Sequence, residues 1–270
     1  MDSAPCVFSP CAPPLSGGCR ALSLAAEGDT PGLTLWLSAP EGEPPAEGWP
    51  LLIVLEGEAY FTAAAECARR LARRPQKTRV GPMMVMGVAL APGAERVGAF
   101  AFTPGPDTGG VAPAPRGAGL LRRLVDDVLP LAVQHGADPT RAALMGHSMS
   151  GQFVLEARAR SAPFGRFVAV SPSIWWNPAV IDAQPSQAQS ELFLAVGAQE
   201  EAPGLPGPHL ARRMVSNLRD LAGAAGAPLS VLADEDHGST PFASLPAILR
   251  FAARSRACPH RTCALEPKGA

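Results

Sequence analysis

Residues 142–151 read AALMGHSMSG, an apolar run that breaks at Gly146-His147-Ser148. Ala142 to Met145 predicts a short strand and Met149 to Arg160 a helix, so the chain turns sharply between them. A serine on such a strand-to-helix turn points its hydroxyl over the carboxyl edge of a sheet, and the residues two before and two after it must be small. Gly146 and Ser150 are small, although the usual G-x-S-x-G reads here as G-x-S-x-S-G, with Gly151 one place later. The start of the following helix adds positive potential beside Ser148.

Outward from this turn, short apolar runs alternate with amphipathic segments. Strands are predicted at Leu33 to Ser38, Leu51 to Leu55 (LLIVL), Met83 to Ala89, Phe167 to Val170, Leu192 to Val196 and Leu229 to Ala233. Helices are predicted at Ala63 to Arg73, Leu120 to His135, about Leu210 to Ala222, and about Leu245 to Arg254, with an irregular stretch from Pro92 to Arg116. Such alternation describes one α/β domain built on a mostly parallel, doubly wound sheet with helices on both faces. Residues 1–19 and 256–270 lack periodicity and read as flexible tails around a single domain at 20–255.

Composition supports one large core. The 270 residues are 47% hydrophobic and 17% charged, which argues against wholesale disorder. The 27 glycines and 30 prolines stay below the fraction that marks a low-complexity chain, so they punctuate a fold. A net charge of -1, with no basic run interleaved with aromatics, excludes a phosphate-backbone footprint, so no nucleic-acid partner is expected. The longest apolar stretches, Leu51 to Leu55 and Val80 to Pro92, are shorter than the ~18 residues a membrane span needs. The N-terminus lacks a basic n-region, and prolines interrupt its apolar positions, so the expectation is a cytoplasmic protein without membrane association.

A serine nucleophile requires a base. Of the five histidines, only His237 follows a predicted buried strand late in the fold, in ADEDHGST. His147 adjoins the serine and is expected to pack beside it, while His135, His209 and His260 read as surface residues. The acid partner should follow the preceding strand, where Gly197-Ala198-Gln199-Glu200-Glu201 lies; Glu200 is the first candidate, with Glu201 and Asp234 as rivals. Donors for a tetrahedral oxyanion are expected from the backbone amides of Met149 and of the Gly57-Glu58 turn after LLIVL.

The six cysteines, Cys6, Cys11, Cys19, Cys67, Cys258 and Cys263, show no tight C-x-x-C spacing. Free thiols are expected rather than disulfides or a zinc site with His260, and the chemistry requires neither metal nor cofactor.

Together these segments resemble a known family. GWPLLIVLEGEAYF, ERVGAFAFTP, LLRRLVDDVLPLA, DPTRAALMGHSMSGQFVL, FVAVSPSIWWNP and DEDHGS occur in order between about residues 48 and 252. They are similar to the α/β-hydrolase putative-esterase group, and most of all to bacterial esterases of enterobactin-type trilactone siderophores. The resemblance implies Ser148 as nucleophile, His237 as base, and the Glu58 and Met149 amides as the oxyanion hole. It also implies that Arg96, Trp175 and Trp176 lie near the substrate mouth. An arginine and paired aromatics there would suit a bulky anionic aromatic ligand. Core packing is an equal explanation for the two tryptophans.

The chain departs from the family pattern at four places: Glu56 and Glu58 stand where Asp and Asn are usual, Ala101 replaces an Asp, and Ser150 replaces Gly. Two carboxylates at the mouth would repel a trianionic ferric complex. The expected activity is therefore serine-based carboxylic ester hydrolysis, with a ferric siderophore ester or lactone as the favoured substrate. A generic small ester or thioester is the alternative, and a non-catalytic siderophore-binding protein with a hydrolase-like fold is the rival from another class. Oligomeric state is not readable.

Overall fold

The computed structural model describes residues 19–106, 113–185 and 191–254. An eight-stranded sheet runs through them: β1 (Cys19–Leu24), β2 (Leu33–Ser38), β3 (Trp49–Leu55), β4 (Met84–Leu90), β5 (Ala137–His147), β6 (Arg166–Val170), β7 (Glu191–Gly197) and β8 (Leu229–Leu232). Spatial order is β1-β2-β4-β3-β5-β6-β7-β8; the β1–β2 and β2–β4 pairs are antiparallel and all others parallel. This is the mostly parallel α/β sheet that the sequence pattern predicts.

The helices are α1 (Gly57–Leu71), α2 (Pro75–Thr78), α3 (Arg96–Phe100), α4 (Gly117–Arg123), α5 (Leu129–Gln134), α6 (Met149–Ala159), α7 (Gly207–Leu210), α8 (Met214–Ala225) and α9 (Thr240–Ala252). Alternation along the strands sends side chains to both faces. Leu51, Ile53 and Leu55 of β3 join Leu120, Ala132, Phe153 and Leu218 in one cluster, from helices α4, α5, α6 and α8. Leu52 and Val54 join Phe61, Ala64, Leu245 and Ile248 in a second cluster, from α1 and α9. Both faces are thus covered, which explains why LLIVL is uniformly apolar rather than alternating.

Several elements differ from the sequence reading. β1 is an added strand that opens at Cys19, one residue inside the expected tail; the remaining tail residues, with Cys6, Cys11, Cys258, His260 and Cys263, lie outside the described residues. Four of its six residues are exposed, so it carries no buried apolar signature. α1 begins at Gly57 rather than Ala63, because Glu56 alone completes the turn in a left-handed conformation (φ 55°). α3 interrupts the irregular stretch; Glu95 caps it by accepting from the amides of Val97 and Gly98 at 2.8 and 2.7 Å. The helix expected over Leu120 to His135 is real but contains a π turn at Leu124–Val128, just before Pro130, which has no N–H to give to the ladder. Cys19 and Cys67 are free thiols.

Candidate active site

Two adjacent parallel strands carry the expected oxyanion donors. Val54 of β3 pairs with Met145 of β5, and both chains enter helices within a few residues. Glu58 and Met149 each stand four residues beyond that pair, in the first turns of α1 and α6, where amides lack intrahelical acceptors. Close packing fixes both turns. A Cβ on Gly57 would come within 2.8 Å of the Val88 nitrogen, and one on Gly146 within 2.2 Å of the Ser150 carbonyl oxygen.

Between β5 and α6, Ser148 adopts φ 57° and ψ -117°, a conformation that non-glycine residues rarely hold. Its surroundings impose it. The Ser148 amide donates to the Val170 carbonyl of β6 at 3.0 Å, and its carbonyl accepts the Ser173 amide at 3.0 Å. Its hydroxyl is half-buried, 3.4 Å from the Ser173 hydroxyl.

His237 returns to this edge from the loop after β8. Its Nδ1 donates to Glu200 Oε2 at 2.6 Å. The imidazole side chain is 46% exposed and the carboxylate 1%, so the histidine faces the cavity while its partner is shut away from water. Glu200 sits in the short 3-10 turn Ala198–Glu201 after β7, and also accepts from the Gly197 amide at 2.9 Å and from the Ser171 hydroxyl. Burial alone would raise the Glu200 carboxyl, but donation from His237, Ser171 and Gly197 outweighs it and holds the pKa below the ordinary carboxylate value. The rivals point elsewhere: Glu201 is bound by the amide and hydroxyl of Ser216, and Asp234 is exposed on the loop.

His147 packs its ring 4.5 Å from that of His237. Burial, followed by the nearby His237, pushes its pKa down to about 4, so at neutral pH it is uncharged, and its Nδ1 shares a hydrogen bond of 2.8 Å with the Tyr60 hydroxyl. Sequence reading expected this packing role beside the serine. It did not find Ser171, although the residue lies in the quoted SPSIWW segment.

Ser148, Ser173, Glu200, His237, Trp175 and Arg212 line one cavity of about 280 Å³. Trp176 instead donates its indole N–H to the Thr103 carbonyl at 3.2 Å and packs against Gly105. Arg96 ion-pairs through Nε with Glu56 and lines a neighbouring depression of about 400 Å³ with Glu58, Trp36 and Phe100. Glu56 is therefore not a bare carboxylate at the mouth. It is buried, bonded to Arg96, and accepts from the Ser150 hydroxyl at 2.6 Å, so two of the family departures satisfy each other. Ser150 does not crowd the elbow; its oxygen also accepts the His147 amide at 2.8 Å. Among the described residues, no group of three or more His, Cys, Asp or Glu could hold a metal ion, and no helix is long and apolar enough to cross a membrane.

A strained serine elbow at the carboxyl edge of a mostly parallel sheet, met by a histidine loop from the last strand, is the arrangement of the α/β-hydrolases, and the chain has their fold. In sequence it is similar to siderophore esterases. It is 29% identical over 213 residues to the ferri-bacillibactin esterase BesA of Bacillus subtilis, covering 69% of this chain and 70% of that one. It is 30% identical over 132 residues to the siderophore triacetylfusarinine C esterase of Aspergillus fumigatus, covering 47% of this chain and 45% of the relative. The siderophore hydrolase EstA of Aspergillus nidulans superposes with a TM-score of 0.74 at 21% identity, over 94% of this chain and all of that one. No family model matches the chain.

Proposed function

We propose that the protein is a serine esterase that hydrolyses siderophore esters or lactones, with Ser148 as nucleophile, His237 as general base and acid, and Glu200 as the carboxylate that orients the histidine. The observation that carries this reading is the buried Glu200 donor set. Three donors leave the carboxylate charged, and its bond to His237 Nδ1 leaves Nε2 as the lone-pair nitrogen of a ring that lines the same cavity as Ser148.

The chemistry follows from these positions. His237 Nε2 takes the Ser148 proton as Oγ attacks the ester carbonyl, and Glu200 offsets the charge that forms on the imidazole. The oxyanion is received by the Glu58 and Met149 amides, reinforced by the first turns of α1 and α6. On collapse the C–O bond breaks and His237 protonates the departing alcohol. Water then repeats the sequence on the acyl-serine, returning the proton to Oγ and releasing the acid. No step calls for a metal or cofactor from the protein.

The siderophore assignment draws on the relatives, whose names specify ferri-bacillibactin and triacetylfusarinine C esters. A cavity of about 280 Å³ holds the scissile ester and one arm of such a molecule, with the remainder outside. Action in the cytoplasm is part of the same proposal. The binding-only rival is weakened at two of the substitutions behind it, since Glu56 and Ser150 are bonded to each other, while Glu58 remains beside Arg96 in the neighbouring depression.

Labelling with a fluorophosphonate, followed by comparison of a ferric trilactone siderophore, its iron-free form and an aryl acetate, tests the proposal. Wild type is expected to label and to hydrolyse the siderophore, and Ser148→Ala to do neither. Equal labelling of both proteins refutes the nucleophile; hydrolysis of the aryl acetate alone refutes the siderophore.

A further inference from the structure

The cations around the candidate site differ in what they are bound to. Arg96 is neutralised by Glu56. Arg213 lies 3.9 Å from Asp220. Arg212 has no carboxylate partner among the described residues; instead its guanidinium lies 4.9 Å from the centroid of the Trp175 ring, and both residues line the Ser148 cavity. A cation held over an indole keeps its charge and its free N–H groups while losing conformational freedom. The cavity is polarised as well. Asp236 lines it beside His237, its carboxylate engaged by the amides of Gly238 and Ser239, while Arg212 stands with Trp175.

We infer that Arg212, braced on Trp175, is the specificity-determining cation of this cavity and selects esters that carry an anionic oxygen group near the scissile carbonyl. This rests on the esterase reading above. An anionic arm directed to Arg212 gains charge-assisted hydrogen bonds there, and the opposite placement would set it against Asp236. The orientation thus chosen also sets which ester bond meets Ser148. Arg96, the cation that the family resemblance offers for this purpose, is already committed to Glu56.

The test compares kcat/KM for 4-nitrophenyl hemisuccinate, which carries a carboxylate, with that for neutral 4-nitrophenyl butyrate, of equal acyl length. In Arg212→Gln the anionic-to-neutral ratio is expected to fall about five- to tenfold at low ionic strength. Arg212→Lys retains most of the ratio, Arg213→Gln leaves it in place, and 0.5 M salt compresses the wild-type ratio toward that of Arg212→Gln. A ratio that moves less than twofold in Arg212→Gln, or that moves equally in Arg213→Gln, overturns the inference while leaving the esterase reading intact. Absence of hydrolysis of both esters by wild type overturns both.

Discussion

Ser150 Oγ donates to Glu56 Oε2 across 2.6 Å, tying the first turn of α6 to the turn that opens α1. The bond is buried and links the two helix starts that carry the expected oxyanion amides. Ser150→Ala and Glu56→Gln are each expected to cost about 1 to 3 kcal/mol in denaturant unfolding, with a coupling of about 1 kcal/mol in the double variant. Strict additivity would mean that the contact contributes nothing.

Glu200→Gln should lower kcat by about 10²- to 10⁴-fold, because an amide can present the wrong tautomer to His237 and cannot offset imidazolium charge. Steady-state kinetics on an aryl acetate decides this, and a loss confined to KM would assign Glu200 to binding.

Removing the Ser171 hydroxyl withdraws one of three donors from Glu200. Ser171 donates to the charged carboxylate, so Ser171→Ala raises the Glu200 pKa, and the acid-side loss of kcat/KM begins at higher pH than in wild type. A pH–rate profile measures the displacement; a uniform drop with an unmoved acid limb would make Ser171 merely structural.

His147 governs acid stability. Its folded pKa of about 4 lies below the ordinary value of 6.5, so the unfolded chain binds the proton first as pH falls. Stability is full above pH 6.5 and declines toward pH 4, by about 2 kcal/mol between pH 7 and pH 5 and roughly 3 by pH 3.5. The depressed Glu200 pKa acts in the same direction but lower, its contribution being lost as pH falls through the folded value. Urea titrations of wild type and His147→Gln at pH 7 and pH 5 should show the variant lacking most of the difference; identical pH slopes would exclude His147 as its source.

At Gly57, any side chain would displace the Val88 and Gly87 backbone. Gly57→Ala is expected to cost about 2 to 3 kcal/mol and, by shifting the Glu58 amide, to reduce kcat more than it raises KM. An alanine variant with wild-type kcat would remove Glu58 from the oxyanion hole.

The main frame was legible because its signals are local. LLIVL and FVAV announce buried strands, Gly146 to Gly151 fit a tight elbow, and the position of His237 after the last strand follows from chain order. What escaped depends on long-range contact. Ser171 meets Glu200 across 29 positions and Arg96 meets Glu56 across 40, and no spacing rule connects them. Glu200 stood among three carboxylates because only the 3-10 turn after β7 decides which one faces the histidine. Glu56 read as a bare charge at the mouth because sequence shows a carboxylate but not its two partners. Arg212 was invisible for the opposite reason: its significance lies in the carboxylate it lacks.

Ser148 and His237 hang from strands of unequal support. β5 lies between β3 and β6 near the middle of the sheet, whereas β8 is an edge strand of four residues paired only with β7. Fraying of that edge would carry the histidine away while the elbow stays seated. On warming, turnover should therefore fade below the calorimetric transition, with fluorophosphonate reactivity recovering on cooling: a reversible thermal cut-off set at the margin of the sheet rather than by its core.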